Sequence, residues 1–98
     1  MLTEEQSVLE ANLSFYEAIA AQDIAAMDAL WSRRHQVACI HPGWQALHGR
    51  DEVMASWRAI LGGPRPPAIR CGEVRAVVLD ESAFVPCVEQ VVGSRLVA

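Results

Sequence analysis

The sequence predicts an α+β domain, with three helices packed on a strongly curved, mainly antiparallel sheet. Three observations carry this expectation. Apolar residues recur at helical spacing before Ser32 and again after Gly49. From Ile69 onward the chain reads as strands separated by turns. Between these regions lies Cys39-Ile40-His41-Pro42-Gly43-Trp44, where a strand end meets a turn and a large aromatic. At such a seam a helix-covered sheet can open into a pocket.

The first helix is expected to start at Thr3. Thr3-Glu4-Glu5-Gln6 is a capping box, in which the Thr3 hydroxyl reaches the Gln6 amide and the Gln6 side chain reaches back. Val8, Leu9, Asn12, Phe15, Tyr16 and Ile19 mark one face, and the helix fades near Ala21-Gln22. Asp23 caps a second, shorter helix through Trp31, with Ile24, Met27, Leu30 and Trp31 apolar. The link between them is so short that the two helices form an angled pair.

Gln36 to His41 is expected to be a short strand. Val37, Cys39 and His41 share one face, and Gln36, Ala38 and Ile40 the other. Pro42-Gly43 turns the chain, and Trp44 to His48 returns it. Gly49 opens the third helix, with Asp51 and Glu52 in its first turn, where the helix dipole favours acids. Val53, Met54, Trp57, Ile60 and Leu61 form its buried stripe, and Gly62-Gly63-Pro64 stops it.

The remainder is β. Ile69 to Leu79 reads as one long strand, Asp80-Glu81-Ser82 as a turn, and Ala83 to Val92 as the next strand. Gly72 suggests a bend that curls the sheet, and Pro86 an edge or bulge. Gly93-Ser94 reads as a two-residue hairpin turn, with a further strand beginning at Arg95.

Ninety-eight residues make a single domain over 1–98, long enough for one modest core. A hydrophobic content of 52% excludes intrinsic disorder. The net charge of −4 argues against nucleic acid as a partner. No apolar run approaches the ~20 residues of a membrane span, so no membrane association is expected. Glu4 and Glu5 stand where a signal peptide would be basic. Cys39, Cys71 and Cys87 are odd in number and far apart, which suits free thiols in a reducing cytoplasm.

Phe15-Tyr16-Glu17-Ala18 is followed by Ala21-Gln22-Asp23-Ile24. Val37-Ala38-Cys39-Ile40-His41-Pro42-Gly43 leads to Leu47-His48-Gly49-Arg50, and Val88-Glu89-Gln90-Val91 to Gly93-Ser94-Arg95. On these segments the chain resembles the nuclear-transport-factor-2-like superfamily. That group includes ketosteroid isomerases, SnoaL-like polyketide cyclases and many small bacterial proteins of unassigned function. The resemblance implies a cone-shaped fold and a homodimer formed through the sheet face. Val77, Leu79, Val85 and Val91 are the candidates for that face by parity. It also implies that the strand beginning at Arg95 should run on and be joined by one more. The C-terminal strands are therefore expected to be incomplete, cut short or completed by a partner chain.

The isomerases place a general base, an Asp followed by Pro, at the end of the first strand. The matching residue here is His41, before Pro42. Their oxyanion-donating Tyr on the first helix matches Phe15, with Tyr16 one place along and turned by about 100°. Their second oxyanion donor, a protonated Asp, finds no match. The comparison points away from steroid-type isomerisation, while a His near its ordinary pKa remains competent as a base.

Two readings of His41 stay open. It is a pocket-facing acid, base or hydrogen-bonding group, or a structural residue that closes the turn. Its face also carries Val37 and Cys39, the composition of an apolar cavity with one polar group. The candidate ligand-binding residues are Phe15, Tyr16, Val37, Cys39, Trp44, Trp57 and Glu89, with His41 as the candidate catalytic group. Tyr16 and Glu89 either face the pocket or lie on solvent faces. His35 and His48 read as surface residues, and the three histidines lack metal-site spacing, so no metal and no cofactor is expected.

Three functions follow. The first is a SnoaL-like protein that binds a small apolar molecule in a pocket between helices and sheet. The second is an isomerase, cyclase or hydrolase using His41 as base. The third is a non-catalytic dimerisation module. A cavity of about 300 Å³ lined by His41 favours the first two. A cavity filled by Trp44 and Phe15 favours the third.

Overall fold

Helix α1 (Glu4–Ala21) begins where the capping box places it. Thr3 Oγ1 accepts from the Gln6 amide at 3.1 Å, and Gln6 Oε1 accepts from the Thr3 amide at 2.9 Å. The computed structural model describes residues 1–92, and the expected turn at Gly93-Ser94 and the strand from Arg95 lie outside them. Helix α2 (Ile24–Leu30) starts at Asp23, whose carboxylate accepts from the Ala26 amide at 3.0 Å. Between the helices, Gln22 is left-handed at φ 53° and donates from its side chain to the Leu61 carbonyl at 2.8 Å. The corner between α1 and α2 is thereby tied to the end of the third helix.

Strands β1 (Ala38–Cys39) and β2 (Leu47–His48) form a short antiparallel hairpin, pairing Ala38 with His48 and Cys39 with Leu47. Both are shorter than their hydrophobic pattern suggested. The face alternation nevertheless holds through the flanking residues: Val37, Cys39 and His41 are at least half-buried, while Gln36, Ala38 and Ile40 are exposed. Gly49 donates to the Val37 carbonyl at 2.9 Å and stands at φ +88°, a conformation costly for any residue with a Cβ. It turns the chain from the hairpin straight into α3 (Arg50–Leu61). Arg50 then clamps α3 to α2, donating from Nη2 to the Asp28 carbonyl at 2.7 Å and meeting its carboxylate at 2.9 Å.

The two long strands expected in the second half are each broken. The first divides into β3 (Ala68–Gly72) and β4 (Val77–Leu79). The break falls at Glu73, whose φ of 53° leaves the extended region directly after Gly72. The second divides into β5 (Ser82–Phe84) and β6 (Val88–Val92), with Pro86 between them. Proline brings no N–H to a ladder, so pairing stops there. The Pro86 carbonyl instead accepts from the Arg75 amide at 3.1 Å, holding the two breaks side by side.

The described strands therefore form three antiparallel pairs, β1 with β2, β3 with β6, and β4 with β5. No closed barrel forms among the described residues. In the β3–β6 pair, Ile69 lies opposite Val91 and Cys71 opposite Glu89. Directly opposed side chains share a face. Ile69 packs on the core, so Val91 belongs to the helix side and not to the outer sheet face proposed for it.

The core gathers Ala18 and Ile19 of α1, Met27 of α2, and Val53, Met54, Trp57 and Leu61 of α3. Helix α3 contributes most of it, as its apolar stripe requires. Phe15, Tyr16, Val37, Cys39, Leu47 and Ile69 are partly buried around this centre.

Candidate functional site

The turn after β1 carries His41 inward against α3, where only 6% of it is exposed. Its Nε2 lies 2.8 Å from the Ser56 hydroxyl. Ser56 is itself buried, and its Oγ donates to the Val53 carbonyl one turn back, at 2.6 Å. Helical spacing explains the meeting: Ser56 and Val53 are three residues apart, so both occupy the face of α3 that meets β1. Desolvation holds the imidazole below its ordinary pKa of 6.5, so at neutral pH His41 is uncharged.

Aromatic rings enclose the imidazole. Trp57 meets it edge-on at 4.8 Å between centroids and 87°, and Trp44 at 4.9 Å and 71°. Phe15 of α1 stands edge-on to Trp57 at 5.4 Å, and Tyr16 edge-on to Phe15 at 5.0 Å. The five rings make one continuous chain from β1 to α1. Trp57 is buried, with 4% exposed, whereas Trp44 is half-exposed at 47%. Trp44 is therefore the outermost ring over His41.

Cys39 joins from the same strand face. Its Sγ is 3.9 Å from His41 Nδ1 and 3.8 Å from Nε2. Being almost equidistant, the thiol is committed to neither nitrogen. Burial pushes its pKa up, so it is a neutral thiol and a weak nucleophile. The Trp57 indole Nε1 is buried with no hydrogen-bond partner among the described residues. Such an orphan donor is uncommon in a folded protein, because the desolvation of an N–H is normally repaid by an acceptor.

At the far end of the ring chain, the Tyr16 hydroxyl donates to the Glu89 carboxylate and lies 3.7 Å from Cys87 Sγ. Asn12 Nδ2 lies 3.8 Å from Cys71 Sγ on the same side. Burial first, and then the bond to Glu89, push the Tyr16 phenol upward, so it stays protonated as a donor. Contact with Cys71 and burial raise the Cys87 thiol in the same way.

The sequence candidates thus fall into two groups. Cys39, Trp44 and Trp57 contact His41, with Phe15 behind Trp57, and Tyr16 pairs with Glu89 elsewhere. Val37 is partly buried on the core side, and its carbonyl is taken up by Gly49. His35 and His48 are exposed. Ser56 escaped the sequence reading, although it is the single polar residue within the apolar stripe of α3, three places after Val53 and four before Ile60. A hydroxyl in that register is the signal that could have found it.

Two shallow concavities lie elsewhere. One, of about 430 Å³, is lined by Ile19, Gln22, Pro66, Pro67, Ile69 and Arg70 among others. The second, of about 420 Å³, lies between the start of α1 and the β4–β5 turn. Neither is lined by His41, whose surroundings are filled by Trp44, Trp57 and, behind Trp57, Phe15. Among the described residues, no three His, Cys, Asp or Glu side chains gather where they could hold a metal ion. No helix of the described residues is long and apolar enough to cross a membrane.

Residues 8–95 match the family of SnoaL-like domains. A crystal structure from Streptomyces avermitilis, of a protein provisionally named a dehydratase from the NTF2-like family, superposes with a TM-score of 0.78 at 31% identity. The match covers 86% of this chain and 64% of that one. A structure from Thiobacillus denitrificans, provisionally named a calcium/calmodulin-dependent protein kinase type II association domain, gives 0.72 at 29% identity, covering 87% and 68%. The F-box protein SKIP8 of Arabidopsis thaliana is 26% identical over 80 residues, which are 82% of this chain and 35% of that protein. The chain therefore spans about a third of the plant relative and about two thirds of the solved structures.

Proposed function

The chain belongs to the SnoaL-like domain family of the NTF2-like superfamily, and from that premise we propose that it binds a small, mostly apolar molecule beside His41 and Trp57. One observation carries this reading: the buried indole N–H of Trp57 has no partner among the described residues, within an otherwise apolar aromatic wall. A ligand acceptor would satisfy it. As they stand, the filled surroundings of His41 favour the non-catalytic dimerisation module, and the ligand-binding reading requires Trp44, the half-exposed ring over His41, to swing aside. Phe15, Cys39 and Val37 would supply apolar contact, and Tyr16 with Glu89 a polar end on the helix α1 side.

Native mass spectrometry of the purified protein tests this. A bound small molecule carried by the native protein and lost in Trp57→Phe, which keeps the ring but removes the N–H, is the expected result. Equal retention by both proteins, or a bare mass for the native chain, contradicts it.

Catalysis on the same site, an isomerase, cyclase or hydrolase reaction with His41 as general base, is the enzymatic form of this proposal. It is favoured by an imidazole that is neutral at pH 7 and so able to accept a proton. The dehydratase name of the Streptomyces relative adds water elimination to the reactions worth assaying. Loss of turnover in His41→Ala would be required of any such substrate.

A homodimer through the outer sheet face is the second proposal. It is supported by Leu79 and Phe84 on the β4–β5 hairpin, each about half exposed although large and apolar. The three unpaired thiols suit a cytoplasmic setting.

A further inference from the structure

Buried imidazoles have two neutral forms, and the choice decides which nitrogen can do chemistry. Around His41 the choice is made by Ser56. A serine hydroxyl owns one proton. Ser56 Oγ stands 2.6 Å from the Val53 carbonyl oxygen, an atom that can only accept, so the hydroxyl proton must lie between those two oxygens. Its lone pairs then face His41, and the 2.8 Å contact closes only when Nε2 is the donor. Nδ1 is left with its lone pair. Its one side-chain contact among the described residues is the long one to Cys39 Sγ at 3.9 Å, a thiol that lies as near to Nε2, at 3.8 Å.

We infer that Ser56 is a positioning residue that locks His41 in its Nε2–H form, making Nδ1 the accepting nitrogen of the site and a hydrogen-bond donor the polar group its ligand must carry. The second half of this inference rests on the ligand-binding reading above; the first does not. The two nitrogens divide the work: Nε2 is held by α3, and Nδ1 meets only the long Cys39 thiol contact, which a stronger donor on a ligand would replace. Trp57 adds the complementary demand, since its unpartnered Nε1–H needs an acceptor. A hydroxyl is the group that carries both a proton of the kind Nδ1 accepts and lone pairs of the kind the indole needs. The ligand class is therefore an apolar ring or chain bearing a hydroxyl or enol. An ether or a simple ketone would satisfy Trp57 and leave Nδ1 bare.

Long-range proton–nitrogen NMR of the imidazole separates these statements. In the free protein, His41 should show a pyrrole-type Nε2 and a pyridine-type Nδ1. Ser56→Ala should lose that dominance and give a mixture of the two forms, and Ser56→Thr, which keeps a hydroxyl, should restore it. A merely space-filling Ser56 would leave the tautomer unchanged in both variants. A pyridine-type Nε2 in the native protein, or an unchanged pattern in Ser56→Ala, overturns the inference. Phenol and anisole then probe the ligand class, being the same ring with and without the donor proton. Phenol should shift the Nδ1 resonance and anisole should leave it in place. Equal shifts overturn the donor requirement. No shift from either, with the Nε2–H form intact, overturns the ligand-binding reading while Ser56 keeps its positioning role.

Discussion

His41 and Ser56, fifteen residues apart in sequence, meet at 2.8 Å in the interior, and that contact joins the hairpin to α3. It places a titratable group where a protonated form is costly. The consequences can be measured on the free protein.

Stability should depend on pH through His41. Its folded pKa lies below the ordinary 6.5 because burial disfavours the charged ring. Below that value the unfolded chain therefore binds more protons than the folded one, and stability falls as the pH falls. The loss begins near pH 6.5 and levels off below the depressed folded value. Urea midpoints measured across this range should decline in the native protein. In His41→Gln, which keeps a side-chain donor for Ser56, the decline should flatten. An unchanged slope would assign the pH dependence to another group.

Trp57 and Trp44 both touch His41, yet their removal should differ sharply. Trp57→Ala opens a hole in the core and should cost about 3–5 kcal/mol. Trp44→Ala removes a half-exposed ring and should cost well under about 1 kcal/mol. Comparable losses in urea unfolding would mean that Trp44 is a structural ring and not a movable cover.

The clamp between α2 and α3 rests on one nitrogen, Arg50 Nη2. Arg50 meets both the backbone carbonyl and the carboxylate of Asp28. Arg50→Ala removes both contacts at once and should lower the thermal midpoint. Arg33→Ala, which loses only an exposed pair with the same Asp28, should lower it less. The reverse order would show that the clamp contributes little.

If the outer sheet face pairs two copies, the β4–β5 hairpin is where a charge should hurt. Light scattering should find a dimer at micromolar concentration in the native protein and a monomer in Phe84→Glu. A native monomer contradicts the dimer directly.

Much of the fold could be read from local signals. Thr3, Asp23 and Gly49 mark helix starts by chemistry that acts within three or four residues, and all three helices begin there. The alternation of Val37, Cys39 and His41 gave the correct buried face, because period two does not depend on strand length. The broken strands were less legible. Gly72 and Pro86 flagged trouble, but the left-handed conformation at φ 53° falls on Glu73, a residue type that gives no signal for it. The site was half legible. His41 stood out through its setting before Pro42, whereas Ser56 was passed over because a serine within a helix usually faces water. Tyr16 and Glu89 could be nominated separately, yet their contact spans 73 positions and required the fold.

If a small hydroxyl-bearing molecule binds beside His41 and Trp57, the Trp57 indole proton will report it. In a phenol titration followed by NMR, that resonance should move early and saturate, while the indole proton of Trp31, which already contacts Met27 Sδ at 3.4 Å, should stay near its starting position. Saturable shifts confined instead to the cleft lined by Ile19, Gln22, Ile69 and Arg70, with Trp57 unmoved, would contradict binding beside His41.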